Sequence, residues 1–225
     1  MPEEINRILT DSISDYLFVT EKSGLENLKI EGVSDEKIFH VGNTMIDSVF
    51  HYSDKADRSA VLRRFDINQK DFVLVTLHRP SNVDDQTVFV QILNALGKIQ
   101  EKIKIVFPIH PRTKKKLDDL ENANCMISPK NIRFCEPLGY LDFLKLMKSA
   151  KVILTDSGGI QEESTALNIP CLTLRENTER PITIEKGTNK LVELSAEEII
   201  KSVERVLNNA NNNSINPSLW DGSAS

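Results

Sequence analysis

Between Val152 and Arg180 the chain reads VILTDSGGIQEESTALNIPCLTLRENTER, and most of its chemically suggestive side chains lie in or near this stretch. Asp156-Ser157-Gly158-Gly159 separates an apolar, β-branched run, Val152 to Thr155, from a helical pattern carrying Ile160, Ala166 and Leu167. After Pro170, Cys171 to Leu174 reads as a second strand. In a strand–glycine turn–helix–strand unit, backbone N–H groups and the positive helix end face one small volume, which suits a phosphate. Ser157 can add a hydroxyl donor, and Glu163 lies on the first turns of the helix, where a carboxylate can accept paired ribose hydroxyls. Arg180, beyond the next strand, is a cation able to neutralise a diphosphate. The same residues also fit an ordinary strand-to-helix turn capped by Asp156 or Ser157, with solvated glutamates, because no dinucleotide or P-loop glycine pattern is present.

The remaining candidates follow other strand-like runs: His78-Arg79, His110 with Arg112, and Arg175. At an ordinary pKa near 6.5, His78 can exchange a proton at neutral pH, as leaving-group chemistry requires. Leu138, Tyr140 and Phe143 can form an apolar wall for a base, although Leu141, Leu144 and Met147 give the same helix a core-facing stripe. A lone histidine after a strand is usually structural. Several cations and donors at the ends of one set of strands instead point to an anionic, phosphate-bearing ligand.

The elements that position these groups are regular from Asp71 onward. Strand-like runs fall at 72–77, 103–107, 132–135, 152–155, 171–174 and 190–192, with helical patterns at 85–100, 113–121, 138–149, 160–168 and 196–208. This alternation predicts a Rossmann-like, doubly wound parallel sheet with helices on both faces. Before it, Pro2-Glu3-Glu4 starts a helix with Ile5, Ile8, Leu9 and Ile13 at helical spacing. Short strands are expected at 16–19 and 38–41, a helix between them at 21–31, and a further helix capped by Thr44. A helix over 57–65 is expected beyond it. We therefore expect residues 1–53 to be the tail of a first domain with its linker, 54–210 the Rossmann-like domain, and 211–225 a polar tail containing the one tryptophan.

With 225 residues, 27% of them charged, and a net charge of −5, the chain lacks the basic field of a general nucleic-acid binder. Any anion must be met by a local cluster of cations. Cys125, Cys135 and Cys171 stand at no metal spacing and read as buried free thiols of a reducing compartment. No signal peptide or membrane-length apolar run is seen, so a cytoplasmic protein without membrane contact is expected. No metal and no cofactor is called for.

Five segments standing in order carry a resemblance: PEEINR (2–7), GNTMID (42–47), TLHRPSN (76–82), DSGGIQEE (156–163) and TERP (178–181). Together they resemble the non-hydrolysing UDP-N-acetylglucosamine 2-epimerases over nearly the whole chain. The resemblance implies the second domain of a GT-B-type two-domain fold, with UDP-N-acetylglucosamine in the cleft. The implied reaction is elimination of UDP across C1–C2 to a glycal, then re-addition giving UDP-N-acetylmannosamine. It assigns catalytic roles to Glu3 and His78. Ser157, Gly158, Gly159, Glu163 and Arg180 match nucleotide-binding positions, Phe143 matches a contact near the uracil, and Leu138 can meet the base only through its backbone. Arg79 and His110 complete the expected substrate contacts. The resemblance further implies a homodimer for full-length members. Most of the family's first domain has no counterpart here, so the chain reads as a carboxyl-terminal portion expected to be inactive alone. Two other readings share some of these features: a GT-B glycosyltransferase half, and a non-catalytic module that binds UDP-sugars.

Overall fold

The computed structural model describes residues 2–122, 129–208 and 217–224. The chain divides into two compact units, Met1–Phe50 together with Ser218–Ser225, and His51–Pro217.

In the first unit, α1 (Pro2–Ile13), β1 (Leu17–Val19), α2 (Lys22–Ile30), a 3-10 turn (Asp35–Lys37) and β2 (Ile38–His40) precede the start of α3 (Thr44–Asp57). The strands pair in parallel, Leu17 with Ile38 and Val19 with His40. One face of this two-stranded sheet buries Leu17 and Val19 against Leu28, with Leu25, Val33 and Ile38 around them. The other face leaves Tyr16, Phe18 and Phe39 exposed, their rings in contact at centroid separations of 5.8 Å. Ile5, Leu9 and Ile13 of α1 are exposed as well. Two parallel strands are fewer than a stable sheet needs.

The turn into α3 corrects one expectation. Asn43, rather than Thr44, is the capping residue: its side-chain Oδ1 accepts the Met45 N–H at 3.0 Å and its carbonyl accepts the Ile46 N–H. Asparagine and threonine are both good caps, so the sequence leaves that choice open. Just before it, Gly42 has φ of 94°, and a Cβ there would stand 2.3 Å from the Leu219 carbonyl oxygen. Residues 218–224, part of the stretch 211–225 expected as a polar tail, are packed into the first unit. Trp220 is buried, and the Ala224 N–H donates to Asp47 Oδ1 at 3.1 Å. The stretch Asn211-Asn212-Asn213, read as a polar break, and Cys125 lie outside the described residues.

In the second unit the helix expected at 57–65 is divided: α3 continues to Asp57, and only Val61–Arg64 (α4) is helical beyond it. Lys145 and Lys148 hold the Asp57 carboxylate at 2.9 and 2.8 Å, and these contacts keep it below its ordinary pKa. Then come β3 (Phe72–Thr76), α5 (Pro80–Val83), α6 (Gln86–Ile99), β4 (Lys104–Pro108), α7 (Pro111–Asn122), β5 (Ile132–Cys135) and α8 (Tyr140–Ser149). The unit continues with β6 (Val152–Thr155), α9 (Gly158–Ala166), β7 (Cys171–Thr173), α10 (Pro181–Glu185), β8 (Asn189–Leu191) and α11 (Ala196–Asn208). All six strands from β3 to β8 are parallel, in the order β5-β4-β3-β6-β7-β8.

Alternate residues explain the doubly wound arrangement. Val73, Val75, Ile105, Phe107, Val152 and Leu154 pack in one core with Ile92, Leu96, Ile199 and Val203 of α6 and α11. The residues of opposite parity, Phe72, Leu74, Val106 and Ile153, are also fully buried, so both sheet faces are covered. The fold is thus the Rossmann-like one that the alternation predicts. Cys171 is buried in it, whereas Cys135 is only half-buried. Among the described residues no helix is long and apolar enough to cross a membrane, and no group of three or more His, Cys, Asp and Glu side chains could hold a metal ion.

Gly42→Ala tests the packing of the first unit. Overpacking typically costs about 1–3 kcal/mol, and the left-handed backbone adds roughly 1–2 kcal/mol for a residue with a Cβ. Emission of the single tryptophan is expected to red-shift at clearly lower denaturant in this variant. An unchanged midpoint would mean that Leu219 does not pack on Gly42 in solution.

Candidate functional site

In the order β5-β4-β3-β6-β7-β8, the chain winds outward from β3 in one direction and from β6 in the other. The loops after these two strands flank the point of reversal, where open parallel sheets bind ligands. His78 and Arg79 follow β3, and Asp156 and Ser157 follow β6. The in-register pair Thr76 and Thr155 joins the strand ends through their hydroxyls at 2.8 Å.

One residue past that pair, the fully buried Asp156 carboxylate gathers the β3 loop. It accepts His78 Nδ1 at 2.9 Å, the backbone N–H of His78 at 3.0 Å, that of Arg79 at 2.9 Å, and Asn82 Nδ2 at 3.2 Å. Asn82 Nδ2 also donates to the Leu174 carbonyl at 2.8 Å, tying in the end of β7. The hydrogen bond to Asp156 raises the His78 pKa above its ordinary value, against the opposing effect of partial burial. With Nδ1 committed to Asp156, the opposite nitrogen of a half-exposed ring is the one available for proton exchange. His110 stands beside it, with ring centroids 6.0 Å apart.

Asp156 thus does not cap α9, and neither does Ser157. Ser157 occupies the N-cap position with extended backbone, yet no side chain caps the helix. The Ser157 N–H donates to Thr155 Oγ1 at 3.0 Å. The first-turn amides of α9, beginning at Gly158 and Gly159, are left without a side-chain cap, and such groups bind anions. A Cβ added at Gly158 would meet only Glu179 Oε2, at 3.7 Å, so internal packing does not demand a glycine there. Its absence leaves room above those amides.

Two consecutive acids of α9 face different partners. Glu162, almost fully buried, lies 3.1 Å from Arg180 Nε in an ion pair without hydrogen-bond alignment. Glu163 is half-buried, and burial, helped by the neighbouring Glu162 charge, pushes its pKa up to about 7. The Glu163 charge also contributes, after burial, to raising the Tyr140 hydroxyl to about 12, so the start of α8 lies near this carboxylate. Leu138, Tyr140 and Phe143 are only partly covered there. Phe143 donates its N–H to the Gly139 carbonyl in the first turn.

Glu179, which the sequence did not single out, joins two of the candidate cations. Glu179 bridges Arg175 at 2.8 Å and Arg79 at 3.6 Å, and these contacts, the Arg175 hydrogen bond foremost, lower its pKa. Arg112 instead turns to Asp84, at 3.9 Å. Glu3 belongs to the first unit, exposed on the first turn of α1.

Sequence reasoning missed two residues here, Asp156 as the partner of His78 and Asn82 as the link to β7. The signal for Asp156 was available in principle. A 3-2-1-4-5-6 strand order sets the first and fourth strands side by side, which brings the residues just past them together.

Comparison with known proteins gives the arrangement a lineage. The profile of the UDP-N-acetylglucosamine 2-epimerase family matches residues 1–225. A UDP-N-acetylglucosamine 2-epimerase from Methanocaldococcus jannaschii is 46% identical over 217 residues, 94% of this chain and 59% of that protein. The crystal structure of a Methanocaldococcus jannaschii UDP-GlcNAc 2-epimerase in complex with UDP-GlcNAc and UDP superposes with a TM-score of 0.84 at 44% identity. That match covers 99% of this chain and 63% of the other. A Neisseria meningitidis UDP-GlcNAc 2-epimerase bound to UDP-GlcNAc gives a TM-score of 0.77 at 31% identity, covering 99% and 59%. The chain therefore spans a little under two thirds of the relatives it matches, in a fold shared with the second half of GT-B-type enzymes. The chain belongs to the UDP-N-acetylglucosamine 2-epimerase family.

Proposed function

We propose that the second unit binds the UDP part of a UDP-N-acetylhexosamine, and that the whole protein interconverts UDP-N-acetylglucosamine and UDP-N-acetylmannosamine. The supporting observation is the convergence at the sheet's reversal point of an Asp156-held histidine, the uncapped start of α9, Glu163 and Arg180. In this reading the amides of Gly158 and Gly159, the Ser157 hydroxyl and Arg180 take the diphosphate, with Arg79 and His110 at its margin. Glu163 accepts the ribose hydroxyls, and Phe143 with the Leu138 backbone borders the uracil.

The chemistry breaks the C1–O bond while a proton leaves C2, and the electron pair of the C–H bond becomes the C1–C2 double bond of the glycal. Re-addition returns a proton to the opposite face of C2 and the diphosphate oxygen to C1. His78 in its protonated form stabilises the departing diphosphate, and Asp156 holds its ring so that the free nitrogen is presented. Proton removal and return require acid–base groups on both sides of the sugar. Glu3 is our candidate from the first unit. We further propose that the exposed aromatic face of β1–β2 is covered in the whole protein by the part of the relatives' length that this chain does not span.

Three outcomes test the reading. A charge-assisted contact is worth about 1.5–3 kcal/mol, so Arg180→Ala is expected to weaken UDP binding about tenfold or more by calorimetry. Equal affinity would remove Arg180 from the site.

Glu163 must be ionised to accept two hydroxyl protons, and with a pKa of about 7 its charged fraction grows through neutrality. UDP affinity of the wild type, relative to Glu163→Gln, is therefore expected to rise from pH 6 to pH 8. The comparison isolates Glu163 from His78, whose raised pKa makes its positive charge fade as pH rises, with the opposite effect on an anionic ligand. A ratio independent of pH would exclude the ribose role.

Finally, NMR in D₂O follows C2 deuterium in UDP-N-acetylglucosamine. This chain alone is expected to incorporate none, since general acid–base groups are worth roughly 10²–10⁴-fold each. Deuterium incorporation abolished by His78→Ala would instead make the chain a sufficient catalyst.

A further inference from the structure

We infer that Gln161 and Asn189 form a buried amide clamp that positions Arg180, with Thr178 as its contact. This rests on the reading of Arg180 as a diphosphate ligand. Gln161 is fully buried, and Asn189 nearly so. Their side chains meet at the centre of the clamp, where Asn189 Nδ2 donates to Gln161 Oε1 at 3.1 Å. From there the network reaches both backbone groups of Arg180. Thr178 Oγ1 donates to Gln161 Oε1 at 2.6 Å and accepts the Arg180 N–H at 2.9 Å. Asn189 Nδ2 also donates to Thr183 Oγ1 at 3.0 Å, and Thr183 Oγ1 donates to the Arg180 carbonyl at 2.7 Å.

Two further bonds anchor the clamp to the walls of the site. Gln161 Nε2 donates to the Ser157 carbonyl at 3.2 Å, and Thr173 Oγ1 of β7 donates to Asn189 Oδ1 at 2.6 Å. The direction of every bond is determined, because reversing either amide would set two NH₂ groups or two oxygens against each other.

The clamp supplements a weak hold: Arg180 is the N-cap residue of the short helix α10, where its carbonyl also accepts the Thr183 N–H at 3.0 Å. Arg180 precedes Pro181 and has φ −126° and ψ 61°, outside helix and strand. Among the described residues its side chain is tied by the misaligned pair with Glu162 and by Nη1 donating to the Glu179 carbonyl at 3.3 Å. The guanidinium can therefore turn to an anion, while the backbone beneath it is held at both its N–H and its carbonyl. Since Gln161 grips the Ser157 carbonyl as well, the amide turn and the arginine are set at a constant separation. A diphosphate gripped from two sides needs that separation.

The test uses Thr178, which is half-buried and can be changed without opening the core. Thr178→Val keeps the shape and loses the hydroxyl, whereas Thr178→Ser keeps the hydroxyl. Loss of one such hydrogen bond is expected to weaken UDP binding about fivefold, leaving uridine binding unchanged, and serine is expected to restore it. In an Arg180→Ala background Thr178→Val is expected to cost nothing further. The clamp is overturned if Thr178→Val retains UDP affinity while Arg180→Ala loses it, or if the two losses simply add. Should Arg180→Ala bind UDP as the wild type does, the diphosphate reading itself fails. The clamp is then judged by the Arg180 amide, whose hydrogen exchange is expected to quicken in Thr178→Val and to recover in Thr178→Ser. An amide equally protected in all three proteins would refute it.

Discussion

The carboxylate of Asp156 is the constraint on which the site depends. It is fully buried, and leaving a buried carboxyl group without hydrogen-bond partners is strongly destabilising. Its hydrogen bonds come from the His78 ring, the His78 and Arg79 amides, and Asn82. Folding therefore cannot bury Asp156 without also wrapping the β3 loop around it. The same residue ends β6 and begins the Ser157 turn, so the histidine and the uncapped helix start are placed by one set of bonds. The order of the strands makes this possible, since only adjacent β3 and β6 bring these loops together.

Much of the second unit was legible because its physics is local. Buried parallel strands read as continuous β-branched runs, and each of the six appears within about two residues of its expected place. The place of the Ser157 turn at the start of α9 was legible for a similar reason, since a strand run, a glycine pair and a helical pattern follow one another in sequence. The function of Asp156 was not, because an aspartate before a helix is an ordinary cap in sequence terms. Its actual partners lie 74 to 78 positions away. Gln161 and Asn189 were silent for the same reason. A buried amide is recognised by what it bonds to, and those bonds are long-range.

The first unit shows the complementary failure. The packing role of Gly42 is not visible in sequence: its positive φ and the Leu219 carbonyl against it are two aspects of one packing arrangement. Residues 217–224 carry Gly, Ser and Asp, the composition of a tail. One tryptophan outweighs that composition: Trp220 buries a large apolar surface, while Leu219 lies against Gly42 and Gly222 against Phe50. The helix α3 likewise runs to Asp57, across the division expected between residues 53 and 54. Lys145 and Lys148 neutralise Asp57 at its end, so charge there marks a packed contact and not a linker.

Glu162 and Glu163 show how adjacent identical residues acquire different roles. Successive positions on a helix point about 100° apart, so one acid turns to Arg180 and the other towards the start of α8. The buried Glu162 has a cation beside it, while burial and the charge of its neighbour push the Glu163 pKa up to about 7. Before a ligand arrives, the site is therefore close to balanced: one acid is satisfied by the arginine and the other is half neutral. A diphosphate that draws Arg180 away from its misaligned bond to Glu162 leaves that acid with less compensation. The same ligand's ribose hydroxyls, donating to Glu163, favour the charged form that burial opposes. In the proposed reading, binding at the two ends of the nucleotide is coupled through the repulsion between neighbouring carboxylates, and the inferred clamp on the Arg180 backbone limits how far the arginine shifts in answering both.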